Sequence, residues 1–517
     1  DPLCGLCVNP LREPCKPPKL LNHKNKTTIA KNTMSQIPTL SLEPKPIWKN
    51  FEALNAVPRP SKKEDRVIAF MRAFGESLKL PTLVDELGNV VIKKPATPGM
   101  ENRPTVILQS HLDMVHQKNA GTDFDFNTEG IRSTIQGEWV TAEGTTLGAD
   151  NGIGVAAIMA VLEADDLKHP PIEALFTIDE ETGMTGAKGL DASMLEGSIL
   201  LNLDSEEDDE LTIGCAGGID SNTQMDYMEE APPVNSTALQ LTVRGLKGGH
   251  SGMDIHKGRA NANKLMNRLL YKTGEPYGLR IASIDGGSLR NAIPRESVAI
   301  VVVPNGHLTA FLEAFEARRR EMLREFASIE PGMTIEQAET TIPEKVMRLE
   351  DQEKVLAALY AVPNGVWRMS PDIPNLVETS SSLARVIVKN GSFVTQSLQR
   401  SSIESGKHDV AAAVRAAFEA AGATVVNDGD YPGWAPDADS KIMRTMEGLY
   451  KDLFDDAPKV SACHAGLECG ILSQHMPELD MISFGPTIHH AHSPDEQVNI
   501  ASVQKFWRYL VGALERI

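Results

Sequence analysis

Residues 173–189, "EALFTIDEETGMTGAKG", read as an apolar strand that stops on two adjacent acids, Glu180 and Glu181. Side chains alternate faces along a strand, so neighbouring carboxylates at its end do not easily serve one point in space. Their mutual repulsion asks for a reason, and Gly183 just after them offers a backbone free to turn away. Working outward, "GNVVIKK" (88–94), "RPTVILQSHLDMV" (103–115) and "SILLNLDSEE" (198–207) also read as strands. Between them, "KKEDRVIAFMRAFGESLKL" (62–80) has helical apolar spacing, and "NGIGVAAIMAVLEADD" (151–166) is a small-residue helix suited to burial. Helices interleaved with near-continuous apolar strands imply an α/β fold, its sheet mostly parallel and covered on both faces.

Near Gly217 the text changes. "ALQLTVRGL" (238–246), "RANANKLMNRLLYKT" (259–273), "YGLRIASIDGG" (277–287), "RESVAIVVVP" (295–304) and the amphipathic "LTAFLEAFEARRREMLREFA" (308–327) run strand, helix, strand, strand, helix. With a strand to follow, that is the ferredoxin-like order. A second such cycle runs through 379–402 and 407–426, and the final hundred residues return to α/β text. The expected organisation is therefore a catalytic α/β domain, 37–217 and 415–517, interrupted by an inserted α+β domain at 218–414.

The 517 residues are 41% hydrophobic and 23% charged, as in ordinary globular proteins, and the formal net charge is −19. That charge argues against nucleic acid or an anionic membrane as partner. No apolar run approaches the ~20 residues that span a bilayer. Residues 1–36 are rich in Pro, Lys and Asn, lack apolar periodicity and read as a disordered extension; Cys4, Cys7 and Cys15 lack a fourth ligand and zinc-finger spacing, and Met34 is an alternative start of the folded part. Cys215, Cys463 and Cys469 carry no disulfide signature, and with no secretory core to license the "NKT" and "NST" sequons, a reducing cytoplasm is expected.

The polar residues at the strand ends carry the chemistry. His111 and Asp113 lie two apart and so share a face; Asp150 sits in "GTTLGADNGIG" before a helix; Glu180 and Glu181 close one strand, Asp204 another; and "GPTIHHAHSPDE" holds His489, His490 and His492. Each alone has a plain structural explanation: a surface histidine, a helix N-cap for Asp150, a solvated acidic turn. Together, four acids and at least one histidine at the carboxyl ends of successive strands repel one another unless cations neutralise them. Imidazole with carboxylate suits zinc, cobalt or manganese. Two such ions ~3.5–4 Å apart with a shared carboxylate would satisfy the cluster.

"SHLDMV", "GTTLGADNGIG", "DEETGMTGAKGL", "LNLDSEE", "GCAGGID", "GLKGGHSG", "LRNAIPRE", "HAGLECG" and "GPTIHHAHSPDEQ" succeed one another as in aminoacyl-histidine dipeptidases, also called carnosinase-like dipeptidases. From about residue 37 to its end the chain resembles that family, within the aminoacylase/carboxypeptidase zinc exopeptidases. The resemblance implies a zinc-exopeptidase-like catalytic domain, an inserted lid through which two copies pair, and hydrolysis of Xaa-His and other unblocked dipeptides. It implies two divalent ions, zinc first, with cobalt or manganese as alternatives: His111 and Asp204 on one, Glu181 and His492 on the other, Asp150 bridging. Glu180 would be the general base acting on a metal-bridging water, and Asp113 would orient His111 from behind. A cis peptide after Asp150 is also implied. For substrate, the resemblance points to His250 from the partner's inserted domain; Asn291 and Arg400 are candidates for its backbone or carboxylate, and His464 and Glu468 for the pocket wall. The chain departs from the family at His489 and His490. The rival expectations are an N-acyl amino acid amidohydrolase on the same scaffold and a catalytically inactive metal-binding assembly protein.

Overall fold

The computed structural model describes residues 37–517; the expectations for residues 1–36 lie outside them. Two sheets organise the chain. The first has eight strands in the order Thr82–Val84, Val90–Lys94, Ile172–Thr177, Val106–His111, Ile199–Asn202, Asp480–Ser483, Glu210–Cys215, Lys459–Cys463. Its middle four run parallel, while the strands on either side of them pair antiparallel, so the sheet is mixed around a parallel centre. Strands Val106–His111 and Ile172–Thr177 are buried at every residue, which is why they read as unbroken apolar runs. Helix Ala149–Glu163 is buried almost all round; Ile153, Val155, Ile158 and Val161 are fully enclosed and stabilise by ~1.5–3 kcal/mol each.

A small four-stranded sheet orders Ile488–His489, Gln497–Asn499, Trp139–Ala142 and Ser133–Gln136. It ties the end of the chain to the segment that leads into helix Ala149–Glu163.

The inserted region forms one nine-stranded sheet whose pairings are all antiparallel. In its first half, Thr334–Thr340, Ser236–Arg244, Ser297–Pro304 and Arg280–Gly286 lie side by side, the 4-1-3-2 arrangement of a ferredoxin-like unit. The second half is also ferredoxin-like in order but split along the chain. Its first strand is Gly217–Asp226, which precedes the whole first unit and pairs with Ser392–Ser401 and Thr424–Tyr431. The halves join where Arg280–Gly286 pairs with Val377–Lys389. Helices Ala262–Leu269, Asn305–Glu325, Leu349–Ala361 and Glu404–Glu419 bury Leu265, Phe311, Leu356 and Val414 in a core shared by both halves.

This topology corrects the expected boundary at 414/415. That position falls inside helix Glu404–Glu419, and the next strand, Thr424–Tyr431, still belongs to the inserted sheet. Helical periodicity alone does not tell which sheet a helix covers.

The chain passes between the two sheets twice, after Cys215 and after Tyr431, and the two passages touch. Cys215 and Trp434 exchange both backbone hydrogen bonds at 2.9 Å. A Cβ on Gly217 would lie 2.5 Å from the Gly433 nitrogen and the Pro432 carbonyl carbon, which is backbone and cannot yield cheaply. Gly217→Ala is therefore expected to cost ~1–3 kcal/mol, read as a lower urea midpoint. Gly306→Ala is the control: it meets nothing within 4 Å in the first turn of its helix and should leave the midpoint unchanged or raise it.

Candidate metal centre

Three adjacent parallel strands, Ile172–Thr177, Val106–His111 and Ile199–Asn202, end side by side, and the residues at and just beyond their carboxyl ends build the site. His111 closes its strand, with only 1% of its side chain exposed. Its Nε2 lies 3.2 Å from Asp150 Oδ1 and 3.5 Å from Asp204 Oδ1, while Nδ1 faces Asp113 Oδ1 at 3.4 Å. On the other side of Asp150, Oδ2 lies 3.1 Å from His492 Nε2, and His492 Nε2 lies 3.0 Å from Glu181 Oε2. His111, Asp150, Asp204, Glu181 and His492 thus converge in two groups with Asp150 common to both. The Asp150–Asn151 peptide is cis.

Strand alternation does not orient Glu180 and Glu181, because the strand ends at Thr177. Both acids sit in a turn whose left-handed positions are Asp179 (φ 52°) and Met184 (φ 51°), not Gly183. What Gly183 supplies is room: a Cβ there would approach Asp179 Oδ2 to 2.9 Å. The turn is fixed by Asp113, whose carboxylate accepts from the Glu180 N–H at 3.0 Å and the Glu181 N–H at 3.3 Å. Asp113 itself lies two residues beyond the last residue of its strand, accepts from Ser61 Oγ at 2.8 Å and is fully buried. One carboxylate therefore stands behind His111 and sets the direction of the glutamate pair.

The electrostatics call for positive charge. Burial opposes charge on the His111 imidazole, yet Asp204, Asp113 and Asp150 outweigh it and hold it well above its ordinary range. Hydrogen bonding to Asp150 and Glu181 pushes His492 up as well, against its burial. Burial raises Asp204 to about 6 despite His111, and raises Glu180 well above the usual carboxylate range, with Asp204 and Glu181 adding to it. Burial also raises Asp150, but hydrogen bonds from both histidines reverse this and hold it below its ordinary value. Taken by themselves, the protein groups set five clustered carboxylates against two imidazoles. Glu181 Oε1 is buried with no hydrogen-bond partner. Imidazole nitrogens and carboxylate oxygens in two sets around a shared carboxylate fit a pair of divalent cations.

Other acidic groupings are neutralised differently. Glu404, His408 and Asp430 come together at the surface, but Lys407 Nζ already lies 2.9 Å from Glu404 and 2.7 Å from Asp430. Glu64, Asp113 and Asp179 are buried together; Asp179 is held by the Thr182 and Thr185 hydroxyls, and Glu64 by the Lys62 N–H.

The residues expected to meet substrate divide into two places. His250 and Arg400 of the inserted region gather with His464, which follows strand Lys459–Cys463 of the first sheet. Arg400 lies 3.5 Å from His250 Nε2 and donates to the Tyr431 hydroxyl at 2.7 Å, and His464 Nε2 lies 2.8 Å from Ser380 Oγ. His250 Nδ1 accepts from the Gly252 and Met253 N–H groups, so Nε2 carries the proton. Burial and then Arg400 push His250 down to about 4 and His464 to about 3, leaving both rings neutral. The Asn291 side chain is exposed, and its backbone carbonyl accepts from Ser251 beside His250. Glu468 lies elsewhere, fully enclosed beneath the strand ends, accepting from Thr177 Oγ1 at 2.6 Å and Gln109 Nε2 at 2.7 Å. It forms no wall of an open pocket here, and burial pushes its carboxyl up to about 8.

Two buried residues escape a reading of the sequence. Arg59, 1% exposed, donates to the carbonyls of Leu112, Asp113 and Gly148. Glu496, 2% exposed, accepts from the four backbone N–H groups of Leu147 to Asp150. The Asp150 carboxylate thus faces the two histidines and caps no amide of its helix, whose regular part begins after the non-helical Asp150 and Asn151; Glu496 satisfies the amides. The "SPDE" loop contains the signal, but an enclosed glutamate and a solvated one read alike.

Residues 107–516 match the peptidase family M20/M25/M40, and the chain belongs to that family. It is 41% identical over 484 residues to the cytosol non-specific dipeptidase of Escherichia coli (strain K12), covering 94% of this chain and 99% of that protein. Among solved structures, an aminoacylhistidine dipeptidase from Vibrio alginolyticus is similar with a TM-score of 0.87 and 45% identity over 94% of this chain and 99% of that one. An aminopeptidase from Bacillus cereus ATCC 10987, 15% identical with a TM-score of 0.53 over 92% and 99% of the two chains, shares the fold. The protein is accordingly a hydrolase acting on peptide bonds.

His489 and His490 stand outside the donor set. The His489 ring packs on Trp139 at 4.7 Å, and His490 takes a left-handed backbone (φ 57°). Replacing His492 by alanine should collapse bound metal per chain, measured by elemental analysis, whereas His489→Ala and His490→Ala should retain it.

Proposed function

We propose that this peptidase is a dinuclear metallo-dipeptidase that cleaves unblocked dipeptides, Xaa-His among them. The observation that carries the reading is the convergence of five donors in two groups on Asp150. His111 and Asp204 would hold one ion, Glu181 and His492 the other, and Asp150 both. When bound, the ions supply Lewis acidity, polarising a carbonyl and acidifying water.

The protein groups then divide the work. Glu180 is enclosed, and burial holds its carboxyl well above the usual carboxylate range, which suits a group that takes a proton from the attacking water and hands it to the departing amine. Asp113 holds Glu180 and Glu181 by their amides, and its carboxylate keeps the His111 ring oriented. Neutral His250 offers an Nε2–H beside the Arg400 guanidinium, a pair suited to a substrate carbonyl oxygen and carboxylate. We assign His250, Arg400 and His464 to substrate, with Asn291 at their edge, and Glu468 to the support of the strand ends. A homodimer through the inserted domain, with His250 reaching the partner's site, is the assembly the family resemblance implies. The relative's cytosolic name and the net charge of −19 support a cytoplasmic enzyme without nucleic-acid or membrane partners. Among the described residues no helix is long and apolar enough to cross a membrane.

A deacylase of N-acyl amino acids would use the same centre. Side-by-side rates on β-Ala-His, several α-dipeptides and N-acetyl amino acids separate the two: dipeptides should be turned over and the blocked amino acids not. An inactive assembly protein is disfavoured because every expected donor and the base are present. Chelation should abolish dipeptide turnover, and zinc, cobalt or manganese should restore it. Glu180→Gln should keep two metals per chain yet lose at least 10²–10⁴-fold in kcat; a variant retaining most of its turnover would remove Glu180 from its role.

A further inference from the structure

The site depends on one turn. Asp150 must present both oxygens to two groups of ligands, and the turn that carries it, 147–150, leads into the regular part of its helix, which begins only after the non-helical Asp150 and Asn151. Four consecutive amides there point away from the helix unpaired by it. All four are taken up by one carboxylate from the far end of the chain. Glu496 Oε2 accepts from Leu147 at 2.8 Å and Gly148 at 2.9 Å, and Oε1 from Ala149 at 2.7 Å and Asp150 at 3.2 Å. The turn is gripped from its carbonyl side as well, since Arg59 donates to the Gly148 carbonyl at 2.6 Å and to the Asp113 carbonyl at 2.9 Å.

Glu496 lies four residues after His492. The strand it enters, Gln497–Asn499, pairs with Trp139–Ala142, the strand that leads to the Asp150 turn, and Thr141 Oγ1 donates to the Glu496 carbonyl at 3.1 Å. The Glu496 side chain therefore connects the loop holding His492 to the turn holding Asp150, across 346 residues of sequence. The half-exposed His492 loop has no comparable tether to Asp150 through its other side chains: Ser493 bonds within the loop, to the His490 carbonyl.

We propose that Glu496 is the positioning residue of the metal centre, fixing the distance between His492 and the bridging Asp150 by binding the amides of the Asp150 turn. It touches neither substrate nor the reacting atoms and acts through the placement of these two ligands. The inference rests on the two-metal reading above. Glu496→Gln swaps one acceptor oxygen for an NH₂ that must face two N–H donors, so the turn has to move.

The test titrates demetallated protein with Zn²⁺ against a chelating dye, for the parent, Glu496→Gln and Glu496→Asp, alongside kcat and KM on one dipeptide. In Glu496→Gln the second Zn²⁺ should bind 10–100-fold more weakly, and kcat measured at saturating metal should fall with KM within twofold. Glu496→Asp keeps the charge one methylene short and should fall between the two. A purely structural role would lower the thermal midpoint of demetallated protein and leave Zn²⁺ affinity unchanged; affinity and kcat within twofold of the parent overturn the proposal. If Glu496→Gln does not fold, the same criteria are applied to Glu496→Asp. A parent that binds fewer than two Zn²⁺ per chain instead overturns the dinuclear reading, a separate failure.

Discussion

Carboxylates crowd the carboxyl ends of three parallel strands, and their need for positive charge governs the rest of the site. Asp113, Asp150, Glu180, Glu181 and Asp204 share one region with two imidazoles. Uncompensated charge in an enclosed site is costly. The fold accepts the repulsion and holds the acids apart with backbone amides and a buried arginine. A divalent pair would turn the repulsion into attraction.

That arrangement explains why the supporting residues are polar where a core would be apolar. Beneath the strand ends, Glu468, Thr177, Gln109, Asn202 and Ser483 form a hydrogen-bonded chain across four neighbouring strands. Hydrogen bonds of this kind hold the strand ends in register, with Glu468 Oε1 left without a partner. The same economy appears at Asp113, where one carboxylate serves a histidine on its own segment and two amides on the next.

The parallel sheet and the convergence of polar residues at its strand ends are legible in the sequence because each is written locally: an apolar run, then His111, Glu180–Glu181 or Asp204 at its end. The first ferredoxin-like unit is legible for the same reason, its strands and helices succeeding one another in the chain. The second is only half visible. Its opening strand, Gly217–Asp226, pairs with Ser392–Ser401, and periodicity carries no information about a partner so distant. A boundary at 415 fails for that reason. Asp179 and Met184 make the turn that composition assigns to Gly183, because positive φ at a non-glycine residue leaves no compositional mark. Arg59 and Glu496 stay hidden because residues of their kind are usually solvated, and only the fold encloses them.

The most direct measurement is anomalous diffraction from crystals of the zinc-loaded enzyme. The expected result is two peaks, one between His111 and Asp204, the other between Glu181 and His492, with the Asp150 carboxylate between them. A single peak at full loading, or density at the surface group of Glu404, His408 and Asp430 with none at Asp150, would contradict it.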